Sequence, residues 1–440
     1  MTKKQLAFIL VSTIFILGCV GFYGYRLIHY YRIEHPKGAP VKYEKLYDRL
    51  LLNYDSSDGL YKDQDAYYFK GNIENNYVSY SGRIWRIISL DEEHNIKLIT
   101  EDAQTLLSYG DGYENSYVHK WLNMDIEDET HESFYGTLNS NNLIYSSVYI
   151  DQIDDVENIT HNKIYDDIVG LLSLYEYNKA GGKNSFLNND GEWWLSTTTS
   201  DGKAWYVLKD SVSKVDYTTF ANKGVRPVVS LNYNAVITGG TGAKEDPFKI
   251  EEKTITKLSE LYVGEKITFN DKTWKVMKQD SDKTKVVLDG LIETKKLFSN
   301  TTNVFDLQDS NGLANYLNNT FYKSLDNKEF IKEGTFTNGS YGIDLDYNYE
   351  TIKESEITAN VGILAIGDMF ISDYADVFLM NHSNSSKLVY TISNENIIYE
   401  DDITNPKDIR PVLYLDNELI ISSGDGFKAP YTIGGVPNEE

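Results

Sequence analysis

Hydrophobic and polar residues alternate along several short stretches of the chain, which is the pattern of half-buried β-strands. The clearest stretches are Tyr77–Leu90 and Asn95–Thr100. Inside the first, Tyr80-Ser81-Gly82-Arg83 places two small turn-forming residues between alternating runs, so we predict a hairpin with a two-residue turn. Phe269-Asn270-Asp271-Lys272 has the same form and predicts a second hairpin.

Other apolar residues recur at the three- and four-residue spacing of an amphipathic helix. Val118, Trp121 and Leu122 form one such set, and a second set runs from Ile164 to Leu174. After these helices the pattern returns to short strands separated by long loops. Strands first, helices in the middle and strands last predict an α+β fold with antiparallel sheets.

The chain contains an internal repeat. Gly224–Leu231 reads GVRPVVSL and Asp408–Leu415 reads DIRPVLYL, so an Arg-Pro pair followed by aliphatic residues is written twice. Other pairs of segments match in the same order: Val169–Leu172 with Val361–Leu364, and Gly240–Lys244 with Gly424–Lys428. Because the order is kept while the spacing drifts, we predict one duplicated domain. The first unit would span residues 60–250, and the second unit, a divergent copy, would span 253–433.

The N-terminus carries an uncharged apolar segment, LAFILVSTIFILGCVGFYGY, at residues 6–25. A helix of about 20 such residues is long enough to cross a bilayer. We therefore predict a transmembrane signal anchor at 1–25 and a stalk at 26–59, with a single pass through the cell membrane and the body outside the cell. A lipoprotein signal ending at Cys19 and a cleaved secretory signal remain alternatives.

Charge and cysteine content narrow the classes of partner. The 440 residues carry a net charge of −24, while the first 40 residues are basic, so the body is strongly acidic. Such a surface repels phosphate, which excludes nucleic acid as a partner. The body has no cysteine, since Cys19 is the single one, and this excludes disulfides and cysteine-ligated zinc from it.

The order of motifs in the first unit resembles a known family. Trp193–Thr197 (WWLST), Ala204–Val207 (AWYV) and Gly224–Val228 (GVRPV) are similar to the C-terminal half of bacterial C-type-lectin-like domains, a group that includes formylglycine-generating-enzyme-like folds. Within it, the chain resembles a surface domain of unknown function from low-GC Gram-positive bacteria. The resemblance implies two tandem C-type-lectin-like domains, whose loops in relatives bind glycans, peptides or proteins. The copper-cysteine and iron-histidine chemistry of enzymatic relatives is not implied, because the matching residues are missing.

Three tryptophans of the first unit are candidate ligand-binding residues: Trp193, Trp194 and Trp205. The second unit has Phe378 and Val389 where the first has Trp194 and Trp205. Adjacent residues of a strand point to opposite faces, so on a sheet with one buried face an indole of the pair would stay half exposed. That ring could stack on a ligand. The alternative is that all three tryptophans belong to the core.

The repeated arginines, Arg226 and Arg410, have two interpretations. Each could bind a ligand carboxylate, or each could hold neighbouring loop carbonyls through its planar guanidinium. Retention in both units favours the structural role.

Asp344–Glu350 places oxygen ligands at alternate positions, as calcium loops do, but it lacks their turn glycine and their final glutamate. We predict no metal, no cofactor and no catalytic residue, and calcium at this segment remains a weakly supported alternative.

These observations predict a membrane-anchored, extracellular binding or scaffold protein that is not an enzyme. Its partners would be the membrane, through residues 6–25, and a glycan or protein ligand. One alternative is a structural subunit of a surface or pilus-like assembly. Another is a glycan-processing enzyme that uses loop carboxylates. The sequence leaves the identity of the ligand and the oligomeric state open.

Overall fold

A computed structural model describes residues 43–127, 133–189, 191–209, 211–216, 222–250, 253–343, 349–371 and 375–435. Strands make up 41% of the structure and helices 15%. The predicted α+β class is therefore wrong, because the molecule is built mainly of β-sheets with a few short helices. The two tandem lectin-like domains were predicted to have that α+β class, so this part of the prediction is wrong as well.

The first half of the chain contains strands β1 to β18. Their bounds are β1 Glu44–Lys45, β2 Leu60–Asp63, β3 Ala66–Phe69, β4 Tyr77–Tyr80, β5 Arg83–Leu90, β6 Ile96–Thr100, β7 Thr105–Leu107, β8 Leu143–Ile144, β9 Ser146–Tyr149, β10 Ile164–Asp167, β11 Val169–Gly170, β12 Glu192–Thr198, β13 Lys203–Leu208, β14 Ser211–Asp216, β15 Lys223–Val225, β16 Val228–Leu231, β17 Val236–Ile237 and β18 Phe248–Lys249. Its α-helices are α1 Leu46–Asn53, α2 Tyr117–Glu127 and α3 Leu174–Lys179, with 3-10 turns at Ser56–Asp58, Tyr113–Asn115, Tyr135–Thr137, Ser140–Asn142 and Gly182–Asn184.

The second half contains strands β19 to β33. Their bounds are β19 Lys266–Phe269, β20 Lys272–Gln279, β21 Lys283–Leu288, β22 Ile292–Lys296, β23 Ile331–Lys332, β24 Gly334–Ile343, β25 Tyr349–Ala359, β26 Val361–Gly362, β27 Val377–His382, β28 Leu388–Ile392, β29 Ile398–Asp402, β30 Lys407–Ile409, β31 Val412–Asp416, β32 Ile421–Ser423 and β33 Tyr431–Ile433. Its helices are α4 Leu313–Asn315, a π-helical segment Tyr316–Phe321 and α5 Tyr322–Ser324, with 3-10 turns at Leu258–Glu260 and Lys328–Phe330.

Each half builds two main sheets. In the first half, a nine-stranded sheet follows the order β11-β16-β6-β5-β3-β2, with β4, β8 and β18 paired alongside, and a five-stranded sheet follows β14-β13-β12-β15-β7. In the second, an eight-stranded sheet follows β23-β31-β21-β20-β19-β33-β32 and a seven-stranded sheet contains β22-β30-β27-β24-β25. Two further two-stranded sheets, β1-β17 and β10-β9, occur in the first half. Most pairs are antiparallel.

Corresponding strands of the two halves pair in the same way. Trp193 lies opposite Gly224 in a parallel pair, and Val377 lies opposite Asp408 in the same arrangement. The chain then leaves each Arg-Pro element into a strand, β16 or β31, that pairs antiparallel with Val169–Gly170 or Val361–Gly362. The repeated sequence segments therefore occupy equivalent positions in the sheets.

The two predicted hairpins are confirmed. Tyr80 lies opposite Arg83, and Phe269 lies opposite Lys272, so each turn has two residues. The turn residue Ser81 has a φ of 49° and Asn270 a φ of 52°. Both central residues of each turn have positive φ, which matches the right-handed twist of the flanking strands.

The helix predicted from Ile164 to Leu174 is only partly correct. Residues Ile164–Asp167 form β10 and pair with Ser146–Tyr149, and an α-helix begins only at Leu174. Ser173 caps that helix by accepting a hydrogen bond from the Glu176 backbone N–H. The apolar spacing was ambiguous because short buried strands and helix segments share it.

Buried apolar side chains of the described residues form two clusters. The first draws on residues between Leu46 and Ile250, and the second on residues between Leu258 and Ile421 together with Leu106. Leu46 belongs to the first cluster, so helix α1 packs into the core although the sequence assigned it to a stalk. Only the part of the predicted stalk from residue 43 onwards is described.

The halves pack directly against each other. The Phe370 N–H donates to the Gln104 carbonyl at 2.7 Å, and the Trp121 indole N–H donates to the Gly367 carbonyl at 3.1 Å. Leu106, from the first half, lies in the second core. Contacts from one half therefore complete the packing of the other.

The predicted transmembrane helix is not supported. Among the described residues, no helix is long and apolar enough to span a membrane. The longest of them, Tyr117–Glu127, has 11 residues, whereas a bilayer requires about 20. The predicted anchor at 1–25 lies outside the described residues, and the predicted single-pass location in the membrane is not supported.

Candidate functional site

The candidate tryptophans lie in the core. Trp193 and Trp194 are each 1% exposed, and Trp205 is 5% exposed. The expectation of one half-exposed ring in the Trp193–Trp194 pair is not met. No indole of the three offers an accessible face to a ligand.

Both faces of β12 are covered, which explains this burial. On one face Trp193 packs edge-on against Tyr177 and lies under the Arg226 guanidinium, 4.7 Å from the ring centroid. On the other face Trp194 packs against Tyr109 and Tyr206. A strand buried on both faces accommodates adjacent large side chains, and the one-sided sheet assumed from the sequence does not apply.

The two Arg-Pro arginines make equivalent hydrogen bonds. Arg226 Nε donates to the Thr100 carbonyl at 2.9 Å and its Nη1 donates to the Leu187 carbonyl at 2.6 Å. Arg410 Nε donates to the Leu288 carbonyl at 3.0 Å and its Nη1 to the Phe370 carbonyl at 2.7 Å. Both side chains are buried. These are the contacts that the structural interpretation expects, since each guanidinium holds two separate chain segments together.

The candidate calcium segment cannot be compared with the structure at its centre. Residues 344–348 lie outside the described residues, so the alternating ligands that motivated the hypothesis have no geometry to report. Among the residues that are described, no group of three His, Cys, Asp or Glu side chains is arranged to hold a metal ion.

The surface feature best suited to a ligand is a cleft in the first half of the chain, with a volume of about 510 Å³. It lies between strand β3, the end of β5, strands β8 and β9, and helix α3. Five tyrosines line it, and we name it the tyrosine cleft: Tyr67, Tyr68, Tyr145, Tyr149 and Tyr175. Tyr145 is 61% exposed and the other four are half-buried, so part of each residue reaches the surface.

Aromatic rings of the cleft and of the segments beside it form a row. Tyr68 stacks on Tyr61, with ring centroids 5.9 Å apart, because the two residues are opposite each other in the β2–β3 pair. Tyr175 stacks on His161 at 4.0 Å and meets the edge of Tyr149 at 5.7 Å. The row continues from strand β2 across β3 and helix α3 to β9, so that segments distant in sequence build it together.

A lysine joins the two parts of the row. The Lys179 ammonium lies 4.7 Å from the Tyr68 ring centroid and 5.7 Å from that of Tyr175. It also donates to the Asp63 carboxylate at 2.7 Å. Burial of the ammonium lowers the pKa of Lys179, but the Asp63 carboxylate and the Tyr175 phenol together outweigh burial, so the pKa of Lys179 is raised. The hydrogen bond from Lys179 lowers the pKa of Asp63, so both groups are ionised at neutral pH.

The second ion pair of the cleft is engaged within the protein. Lys97 Nζ donates to Glu176 Oε1 at 2.7 Å and to the Ser147 carbonyl at 3.2 Å. Glu176 Oε2 accepts from the Ser173 backbone N–H and from its hydroxyl. Burial raises the pKa of the neighbouring Tyr149 phenol, and the Glu176 carboxylate adds to the effect. Both charged groups of this pair are therefore bound to other groups of the protein, where they hold β6, β9 and helix α3 together.

Two carboxylates at the mouth of the cleft have no such counter-charge. Asp91 accepts hydrogen bonds from the backbone N–H groups of Glu93 and Asn95. Glu93 is exposed. Among the described residues, no salt bridge reaches Asp91 or Glu93, so the mouth carries net negative charge.

Sequence reasoning missed this cleft. It selected tryptophans, whereas the accessible rings are tyrosines, and 35 tyrosines distributed along the chain gave no reason to select these five. The adjacent pair Tyr67-Tyr68, in the short aromatic segment Ala66–Phe69, was the one local signal. No protein-family model matches the chain, and comparisons with curated proteins and with solved structures find no significant match.

Proposed function

We propose that the chain is a non-catalytic binding protein, with a glycan or protein as ligand, and that the tyrosine cleft is its ligand site. The observation that carries the proposal is the concentration of tyrosines in one cleft, with half-buried rings around Lys179 and an exposed ring at Tyr145. Tyrosine supplies a flat apolar face with a polar hydroxyl at small conformational cost, and such rings are enriched in binding sites. A concave surface with apolar rings and a few polar groups is the usual form of a ligand site.

The charges of the cleft favour binding over catalysis. A general acid or base needs a carboxylate that is free to exchange a proton with the ligand. Glu176, the buried carboxylate of the cleft, has hydrogen bonds on both oxygens from Lys97 and Ser173. Its role is to cap helix α3 and to anchor Lys97. The cleft thus presents rings and hydroxyls for contact and keeps this buried acid occupied.

The test is the loss of ligand binding when a ring of the row is removed. The purified full chain and a Tyr175→Ala variant are applied to arrays of glycans and of peptides. One aromatic contact contributes about 0.5–1.5 kcal/mol, so the affinity for a cleft ligand falls by about threefold to tenfold. Tyr175→Phe keeps the ring and retains most of the affinity.

A matched control is available in the second half of the chain. Tyr316 is half-buried and lies beneath Lys296, whose ammonium is 4.6 Å from its ring centroid, much as Lys179 lies over Tyr68. Tyr316→Ala removes a comparable ring far from the cleft and leaves binding unchanged. Equal binding by the parent and by Tyr175→Ala, or binding to neither array, contradicts the proposed function.

A further inference from the structure

We propose that the tyrosine cleft selects a neutral or cationic saccharide and rejects anionic ones. This inference rests on the proposed function, because it names the chemical class of ligand for the same site. Three properties of the cleft carry it: partly exposed tyrosine rings, hydroxyl groups that have no hydrogen-bond partner among the described residues, and an acidic mouth.

The rings match the apolar faces of sugar rings. A pyranose presents a face of C–H groups that packs flat on an aromatic ring, and the dispersion contacts add over its atoms. Tyr145 is 61% exposed, and the half-buried Tyr149 and Tyr175 line the same cleft. Tyr61 stacks on Tyr68 and His161 stacks on Tyr175, so Tyr145 offers the most exposed ring. A row of several rings suits an extended ligand with repeated apolar faces, as an oligosaccharide has.

Several hydroxyl groups of the cleft remain available to a ligand. The side chains of Tyr67, Tyr68, Ser89 and Ser146 line the cleft and make no hydrogen bond to another described residue. A hydroxyl both donates and accepts, and so does each hydroxyl of a sugar. The cleft therefore combines stacking faces with reversible donor–acceptor groups, which is the pairing that a saccharide satisfies.

The net charge of the cleft decides which ligand charge it accepts. Lys97 is neutralised by Glu176 and Lys179 by Asp63. Glu93, together with Asp91, then leaves the mouth negative in a chain of net charge −24. A sialylated or sulfated glycan would place its charge against these carboxylates, and like-charge contacts are unfavourable for association. A neutral sugar meets no such repulsion, and an amino sugar is attracted.

A proline-rich peptide is the competing occupant, because it also docks on aromatic grooves. It presents few hydroxyl groups to the polar side chains of the cleft, so the observations favour the saccharide. The experiment must therefore separate glycan from peptide as well as neutral from anionic glycan.

The experiment applies the purified full chain to a glycan array that contains neutral, amino-sugar, sialylated and sulfated members, beside a peptide array. We expect the bound members to be neutral or amino-sugar glycans and their binding to require Tyr175. Glu93→Lys reverses the charge at the mouth, and we expect it to weaken amino-sugar binding and to strengthen anionic binding by about tenfold at low salt. Glu93→Gln has an intermediate effect.

The outcomes distinguish this inference from the proposed function. Binding of sialylated or sulfated glycans by the parent chain overturns the charge selection, while loss of that binding in Tyr175→Ala would still support the cleft as the site. Binding of peptides alone, again dependent on Tyr175, overturns the saccharide and keeps the binding function. Binding that does not depend on Tyr175 overturns both.

Discussion

Replacement of Arg226 by methionine tests whether the Arg-Pro element holds the first half of the chain together. The guanidinium is buried, donates to the Thr100 and Leu187 carbonyls, and stacks on Trp193. Methionine fills a similar volume but donates no hydrogen bond, so both carbonyls lose their charged donor. A hydrogen bond to a charged group contributes about 1.5–3 kcal/mol, so the loss of two such bonds lowers the free energy of unfolding by about 3–6 kcal/mol. This is a large fraction of the stability of an ordinary domain.

The assay is denaturant unfolding followed by tryptophan fluorescence. Five of the six tryptophans lie in the first half, and Trp274 reports on the second. Arg410→Met removes the equivalent bonds to Leu288 and Phe370, and we expect a loss of the same size. Lys183→Met, at an exposed position, serves as the control, with a change within about 0.5 kcal/mol. An unchanged unfolding midpoint for Arg226→Met would refute the structural role of this arginine.

Two further predictions concern a glycine of the repeated loop and an aspartate of the second half. Gly242 has a φ of 84°, and a Cβ there would lie 2.4 Å from Phe248, so we expect Gly242→Ala to lower the free energy of unfolding by about 2 kcal/mol. Gly112→Ala, which meets nothing within 4 Å, is its neutral control, and equal thermal midpoints would contradict the argument. The Ser299 hydroxyl lowers the pKa of Asp309 from 3.8, so this carboxylate stabilises the fold above that pH and the contribution is lost as the pH falls through the lower folded value. In acid titrations of stability, Asp309→Asn is therefore less stable near neutral pH and loses less on acidification, and parallel curves would disprove this.

Local sequence was sufficient where the structure depends on a few neighbouring residues. The turns at Ser81-Gly82 and Asn270-Asp271 follow from the φ values that two-residue hairpins require. The helix around Trp121 follows from apolar spacing. The duplicated Arg-Pro segment correctly pointed to equivalent elements, because both copies keep the same backbone partners.

Contacts between segments far apart in the chain decided the features that the sequence predicted wrongly. Whether Trp193 and Trp194 share a buried strand depends on what covers each face of the sheet, and Tyr177 and Tyr109 come from remote parts of the chain. Spacing could not separate strand from helix between Ile164 and Leu174, because a short buried segment of either kind has the same pattern. The predicted α+β class was wrong for the same reason, since segments with helical spacing formed strands instead.

The tyrosine cleft shows most clearly which properties follow from the sequence and which depend on the tertiary structure. The sequence by itself determined that the body is acidic, is rich in tyrosine and contains repeated Arg-Pro segments. Only the tertiary structure brought Tyr68, Tyr149 and Tyr175 around Lys179, because strand pairing and the docking of helix α3 join segments far apart in the chain. Which rings are buried and which remain accessible is a property of the assembled sheets, since burial depends on neighbours that local sequence does not name.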